Sequence, residues 1–274
     1  DTINAAGNNV HKLTMPIVRE GMSETEARNN PRATREQMAE FILADLDAAE
    51  KFIVNLKIAS KTIPHLDVVY GLKARYYMWL EDYANAKVYA RKAIDASSTG
   101  VMSESQCLDV TTGFNDINLW MWGSKLMAED AAVKSGIINW TSWMSNETYF
   151  GYAFAEPFSM IDASLYARIS DTDFRKKMWK APKGSALDGK TPFLNAEFAG
   201  ILCTYASVKF RPAGGDPNEY SVGAASAYPV MRVEEMYFIE AEAAAHLGED
   251  ASLLVSFMKN YRDKSYTCQL AGAP

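Results

Sequence analysis

Apolar residues recur at helical spacing after Thr34, and this segment is the first element that the sequence predicts. The apolar positions are Met38, Phe41, Ile42, Leu46, Ala49 and Phe52. Steps of three and four residues place such positions along one face of a helix. Thr34 also stands three residues before Gln37, which is the spacing of a capping box that satisfies backbone donors at a helix start. The pattern predicts a helix from Arg35 to about Leu56.

The preceding segment shows no such period. Met15 stands directly before a proline, and the residue before a proline is disfavoured in the helical region. The sequence therefore predicts an extended segment over Met15–Val18. The stretch Glu20–Pro31 is polar, and we expect it to form a loop.

A helical hairpin with the spacing of a tetratricopeptide (TPR) repeat is predicted next. Counted from Tyr70, small or aromatic residues fall at offsets of 4, 7, 13, 16 and 23, namely Ala74, Tyr77, Tyr83, Ala86 and Ala93. Small residues let two antiparallel helices approach closely, and the aromatic rings fill the space beside them. Because one repeat cannot bury both of its faces, partner helices are expected.

A second hairpin is predicted near the end of the sequence. Val233–Leu247 has helical composition, and Gly248 suits a left-handed helix cap. A further helix is expected from Ala251 to about Arg262. TPR-type helices are therefore predicted over about 35–96 and 233–262.

The region between the hairpins, about 97–229, differs in character. It holds most of the glycine and proline and several short aromatic runs, without a long amphipathic period. Loops, short helices and a few irregular strands are predicted there. We expect one mostly α domain over 1–274 that lacks N- and C-terminal portions of the whole protein. In it, TPR-type helix pairs carry an irregular, loop-rich and aromatic ligand-binding subregion.

Composition and charge narrow the functional classes. Of 274 residues, 28 are Lys or Arg and 34 are Asp or Glu, so the net charge is −6. The hydrophobic fraction of 48% is that of a soluble folded domain. An acidic balance disfavours nucleic acid as a partner. No uncharged apolar run approaches the ~18–20 residues that cross a bilayer.

The residues that carry metal, cofactor or catalytic chemistry form no recognisable pattern. The three cysteines and three histidines are scattered and include no Cys-x-x-Cys pair, which disfavours a zinc site or a disulfide framework. Motifs for phosphate loops, dinucleotides, zinc hydrolysis and activated serine are missing. We therefore expect no catalytic residue, no metal and no cofactor.

Aromatic residues are dense from Trp120 to Phe154, where eight of 35 residues are aromatic against a chain average of 12%. Trp120 and Trp122 alternate in an apolar run, and we expect both in the core. The later rings are interleaved with amides and hydroxyls. That mixture suits a pyranose, whose C–H face stacks on a ring while its hydroxyls need donors and acceptors. The predicted ligand-binding residues are Trp140, Trp143, Asn146, Tyr149 and Tyr152. The competing interpretation is that these rings cover the helical core.

Several short stretches carry a family resemblance. They are Met15–Arg19 with Pro31–Gln37 and Ile42–Ala49, then Val69–Tyr76, Ser170–Arg175, Val208–Arg211, Pro229–Ala243 and Arg262–Thr267. In this order they resemble the SusD/RagB family of outer-membrane nutrient-binding lipoproteins. The most specific stretch is Pro229–Ala243.

The resemblance implies a surface-exposed protein of the outer membrane. Such a protein captures oligosaccharide or polysaccharide and delivers it to a SusC-like TonB-dependent transporter, without catalysis. It also implies TPR-type helix pairs and a less regular ligand-binding subregion, where family members place binding aromatics. The lipid anchor is expected at a cysteine that is not in this sequence.

Two other functions compete with this one. A TPR-type interaction module would bind a protein or peptide on the concave helical face around Tyr70 and Tyr77. A hydrolase acting on glycans is disfavoured, because no well-supported pair of acid and nucleophile emerges from the sequence.

Overall fold

The computed structural model describes residues 7–250 together with 252 and 257. Its α-helices are α1 (Glu24–Arg28), α2 (Arg35–Ile53), α3 (Leu66–Trp79), α4 (Tyr83–Ala96), α5 (Glu104–Cys107), α6 (Ala131–Lys134), α7 (Trp140–Met144), α8 (Gly151–Phe154), α9 (Ala163–Arg168), α10 (Ala196–Ile201), α11 (Tyr220–Gly223) and α12 (Val233–His246). The strands are β1 (Trp122–Lys125) and β2 (Ala227–Met231), and 3₁₀ turns span Ile117–Leu119, Phe174–Met178 and Ala213–Gly215. The chain divides into two compact units between Leu56 and Lys57.

The first unit contains α1 and α2. Helix α2 begins as predicted, with the Thr34 side chain and Gln37 forming a capping box. The expectation of a loop over Glu20–Pro31 is wrong in its centre, where α1 forms. Ser23 and Glu26 cap that helix by the same reciprocal hydrogen bonds, and this spacing is visible in the sequence.

The second unit contains the predicted TPR-type hairpin, α3 with α4. Ala74, Ala86 and Ala93 are completely buried, which confirms that small residues lie where the helices meet. Helix α12 packs against both helices and supplies the expected partner. Ion pairs from Arg91 to Glu240 and from Arg75 to Glu235 join α12 to the hairpin.

Helix α12 ends at the predicted cap. Gly248 has a φ of +70°, and its N–H donates to the Ala245 carbonyl. The Glu249 N–H donates to Ala244, which completes a Schellman motif. Of the helix predicted over 251–262, only residues 252 and 257 are described, so the rest of that prediction lies outside the described residues.

The region 97–229 consists of short helices and loops, as predicted. Strand β1 pairs antiparallel with β2, which begins in the same region, so that Ser124 faces Tyr228. Trp120 is completely buried, as expected, whereas Trp122 is half-buried. Within the described part of the chain, no helix combines the length and apolar character needed to span a membrane.

Candidate functional site

Helix α7 presents the two tryptophans of the predicted site. Asn139 precedes the helix, and its Oδ1 accepts a hydrogen bond of 2.8 Å from the Ser142 N–H. Thr141 and Ser142 face inward and are buried, whereas Trp143 is 57% exposed. The short helix therefore turns its hydroxyl side chains toward the protein and one indole ring toward solvent.

A close contact between α7 and α8 fixes the exposed ring. The Tyr152 N–H donates to the Ser142 hydroxyl over 3.0 Å. Gly151 has a φ of +66°, and a Cβ there would lie 2.1 Å from the Ser142 Oγ, so this position requires glycine. As a result the ring of Tyr152 lies 4.6 Å from that of Trp143, centroid to centroid, at an angle of 50°.

The two tryptophans line one open groove of about 350 Å³. Trp140 is half-buried, and its ring stacks on Tyr228 of β2 at 5.6 Å between centroids. The same ring also meets Phe210 edge-to-face, at 4.8 Å between centroids. The groove is completed by Leu126, Ala132, Ile138 and Asn139. We call this cavity the aromatic groove.

Asn139 and Tyr228 are not among the predicted site residues, yet both line the aromatic groove. Asn139 carries the signal of an amide beside aromatic rings, whereas Tyr228 lies far from those rings in the sequence. Asn139 is only 4% exposed, and its Nδ2 has no hydrogen-bond partner in the described protein. A buried donor without a partner costs free energy, so this amide is the polar group of the groove best suited to a ligand acceptor.

Asn146 has a different position from the one expected of a ligand-binding residue. It is buried, and its Nδ2 donates to the carbonyls of Ser159 at 2.8 Å and Ser207 at 2.9 Å. Its Oδ1 accepts from the Ser159 N–H. The amide therefore ties three loops together, and both of its hydrogens are used within the protein.

Tyr149 also lies outside the lining of the aromatic groove. Its ring stacks on Phe198 at 4.9 Å, and its hydroxyl donates to Glu197 over 2.7 Å. Burial and this hydrogen bond raise the pKa of the Tyr149 phenol. Of the five predicted site residues, the structure brings together Trp140, Trp143 and Tyr152, and places Asn146 and Tyr149 in other contacts.

A buried ion pair joins loops of the same region. Glu147 and Arg211 are both essentially inaccessible to solvent and pair with each other. Glu147 also accepts from the Leu194 N–H, and Arg211 donates to the Pro192 carbonyl. Burial lowers the pKa of Arg211 to about 10, so the side chain stays charged at neutral pH.

The chemistry of the aromatic groove is that of stacking and hydrogen bonding. It offers indole and phenol faces next to an unpartnered amide donor. Across the described residues, no group of three or more His, Cys, Asp or Glu side chains is arranged to hold a metal ion. The groove thus fits a ligand that combines an apolar face with polar edges.

The alternative binding surface around Tyr70 and Tyr77 is used for helix packing. The ring of Tyr77 stacks on Tyr89 of α4 at 5.4 Å, and Tyr70 lies 6.1 Å from the same ring. Both tyrosines are half-buried. These rings join the two helices of the hairpin.

We compared the chain with protein families, curated sequences and solved structures. No family profile and no curated sequence matches the chain. Solved structures do match it. A SusD-like carbohydrate binding protein from Bacteroides vulgatus superposes with a TM-score of 0.67 at 23% identity, over 94% of this chain and 50% of the other. The chain has the SusD-like fold.

Other solved structures agree with this SusD-like fold. A SusD superfamily protein from Bacteroides thetaiotaomicron gives a TM-score of 0.65 at 16% identity, over 93% of this chain and 52% of its own. A surface glycan-binding protein A from Bacteroides uniformis gives 0.57 at 14% identity, over 95% and 56%. The chain thus spans about half the length of the structures it matches. The resemblance and the mostly helical fold class inferred from the sequence are confirmed.

Proposed function

We propose that this chain belongs to a cell-surface protein that binds oligosaccharide or polysaccharide in the aromatic groove. The observation that carries the proposal is the groove itself, whose lining combines Trp140, Trp143 and Tyr228 with Asn139, the residue whose Nδ2 has no partner among the described residues. A pyranose presents an apolar C–H face to such rings and hydroxyl oxygens to such a donor. The carbohydrate-binding and glycan-binding proteins that share the SusD-like fold support this ligand class.

The energetics point to weak binding that is strengthened by multiple contacts. Stacking that removes ~80 Å² of apolar surface contributes roughly 2 kcal/mol per ring. Trp143 is 57% exposed and already lies beside Tyr152, so it loses little conformational freedom when a sugar covers it. Two or three such rings along a polysaccharide give useful affinity without a deep pocket.

In the organism, the bound glycan passes to a SusC-like TonB-dependent transporter, and the protein is held at the outer membrane by a lipid. This part of the proposal follows from the family resemblance. We expect binding without catalysis, as the family resemblance implies. The described lining of the groove consists of rings, apolar side chains and an amide, which suit stacking and hydrogen bonding.

A glycan array followed by titration calorimetry with the best-binding oligosaccharide tests the proposal. We expect binding in the micromolar to millimolar range and no release of reducing sugar. Trp143→Ala should weaken binding about 5–30-fold, the contribution of one stacked ring. Trp79→Ala is the matched control, since Trp79 is also exposed, at 43%, but lies on α3. Sugar release would indicate a hydrolase, and equal binding by both variants would remove the groove from the function.

A further inference from the structure

A second cavity, of about 400 Å³, shares no lining residue with the aromatic groove. It lies where β2 leads into α12, and its size is that of a small-molecule pocket. The cationic side chains of Arg175, Lys209 and Arg232 line it together with the rings of Phe114 and Trp179. We call it the cationic pocket.

Both arginines are held in place by carboxylates of the protein. The Nε and Nη2 edge of Arg175 binds Asp173, with 2.9 Å from Nε to Oδ1. The same edge of Arg232 binds Glu234, at 3.1 Å from Nε and 2.7 Å from Nη2. No described residue accepts a hydrogen bond from Nη1 of either guanidinium. Each arginine is therefore oriented by one carboxylate and keeps donors for another.

The carboxylate that lines the cationic pocket is already neutralised. Glu235 binds Arg75 through both oxygens, at 2.6 Å from Nε and 2.6 Å from Nη2. With Arg175 and Arg232 balanced by their own partners, the net positive charge of the pocket is the charge of Lys209.

Lys209 contacts the ring faces of Phe114 and Phe210, the latter at 5.0 Å from Nζ to the centroid, but has no ionic partner for that charge among the described residues. Among the described residues, none forms a hydrogen bond or ion pair with its Nζ, which lies 4.6 Å from the centroid of the Phe114 ring. The guanidinium carbon of Arg232 lies 4.5 Å from the same centroid. A half-buried ammonium next to a second cation is unfavourable unless an anion offsets it.

The titration of Lys209 agrees with this geometry. Burial, and after it the positive charges of Arg232 and Arg175, lower its pKa to about 8, while Cys107 and Glu234 act in the opposite direction. Glu235 also faces the pocket but is paired with Arg75. Lys209 is therefore still protonated at pH 7 and loses its proton at mildly alkaline pH.

We propose that the cationic pocket binds the carboxylate of an acidic sugar such as a hexuronate. Lys209 supplies the unpaired charge, and the Nη1 groups of Arg175 and Arg232 donate to the carboxylate oxygens. Guanidinium edges match a planar carboxylate in geometry. The half-buried ring of Trp179 provides an apolar face for the C–H side of the sugar. An inorganic anion has no C–H surface and cannot make this contact. This site does not depend on glycan binding in the aromatic groove.

Titration calorimetry of the protein with D-glucuronate at pH 6.5 tests the site. D-glucose is the uncharged counterpart, and sodium sulfate is the inorganic anion. We expect glucuronate to bind, glucose to give no signal, and sulfate to bind at least tenfold more weakly. Failure of glucuronate to bind, or sulfate binding as tight as glucuronate binding, would overturn the proposal.

Variants separate binding from folding. Lys209→Met should weaken glucuronate binding at least tenfold, whereas the exposed Lys183→Met should leave it unchanged. Trp79→Ala, an exposed ring in the lining of neither cavity, should also leave it unchanged. Glucuronate binding without glycan binding, or the reverse, would show which of the two sites fails. If Lys209→Met does not fold, the wild type decides, because its affinity should fall more than tenfold between pH 7 and pH 9.5. Unchanged affinity in either experiment contradicts the role of Lys209.

Discussion

The helical side of the second unit and the loops around α7 are stabilised in opposite ways. The helices meet through small apolar side chains, with Ala74, Ala86, Ala90 and Ala93 all completely buried. Along residues 139–148, by contrast, every buried residue is polar: Asn139, Thr141, Ser142, Ser145, Asn146, Glu147 and Thr148. Apolar packing needs only the right volume, whereas each buried polar group needs its own partner. The helical packing therefore depends mainly on side-chain volume. The loops that shape the aromatic groove depend on particular hydrogen-bond and ion-pair partners.

The strongest test of this contrast is the buried ion pair of the loops. Glu147→Gln leaves the Arg211 charge buried without its counter-ion, and such a loss typically costs about 3–5 kcal/mol. Glu104→Gln is the control, because Glu104 is 53% exposed in its pair with Lys177 and should contribute at most about 1 kcal/mol. Urea unfolding measures both variants. Equal losses would show that the loops do not rely on the buried pair.

Lys209 is a half-buried charge without an ionic partner among the described residues, and removing its charge should stabilise the protein. Since its pKa falls from 10.5 to about 8 on folding, Lys209→Met should gain up to about 3 kcal/mol at pH 7. The unfolded lysine binds more protons than the folded one between pH 8 and 10.5. Wild-type stability therefore rises relative to the variant across that interval, and the difference should vanish near pH 10.5.

Melting temperatures of both proteins from pH 7 to 10.5 measure this difference, with Lys183→Met as the control for an exposed lysine. A lower melting temperature for Lys209→Met at pH 7 would mean that the ammonium stabilises the fold through a contact of its own. The charge of Lys209 would then be offset within the protein, which would contradict the need for an anionic ligand in the cationic pocket.

The helical side should respond to volume instead of charge. Ala86 is completely buried between α4 and its neighbours, so Ala86→Leu should lower stability by about 1–3 kcal/mol through overpacking. Ala84→Leu on the exposed face of the same helix is the control and should change stability little. Thermal unfolding compares the two. If both variants melt alike, α3 and α4 do not approach as closely as the TPR spacing predicts.

The sequence predicted the helices well because their signals are local. The period after Thr34, the small residues at Ala74 and Ala86 and the glycine at position 248 each act within a few turns of the chain. Helix α1 was missed although Ser23 and Glu26 carry the same capping signal as Thr34 and Gln37. A five-residue helix has no apolar period to accompany its cap.

The candidate site was predictable only in part, because it depends on contacts between distant segments. Tyr228 of β2 stacks on Trp140 of α7, a contact between distant segments that no local pattern encodes. Asn139 and Asn146 show the same sequence pattern, an amide side chain next to aromatic residues. Only the fold distinguishes them, since Asn146 bridges loops while the Nδ2 of Asn139 has no partner.

The last test compares the two tryptophans of α7, which lie three residues apart but in different surroundings. Trp140 packs against Phe210 and Tyr228, so Trp140→Ala should cost about 2 kcal/mol of stability, less than for a completely buried tryptophan. Trp143 is 57% exposed, and Trp143→Ala should barely change the melting temperature. Its effect should appear in glycan affinity, as a loss of about 5–30-fold, equivalent to roughly 1–2 kcal/mol.

Paired measurements of melting temperature and affinity separate the two roles. A large stability loss in Trp143→Ala with unchanged affinity would place that ring in the scaffold, and binding would then have to be sought at Tyr152 and Tyr228.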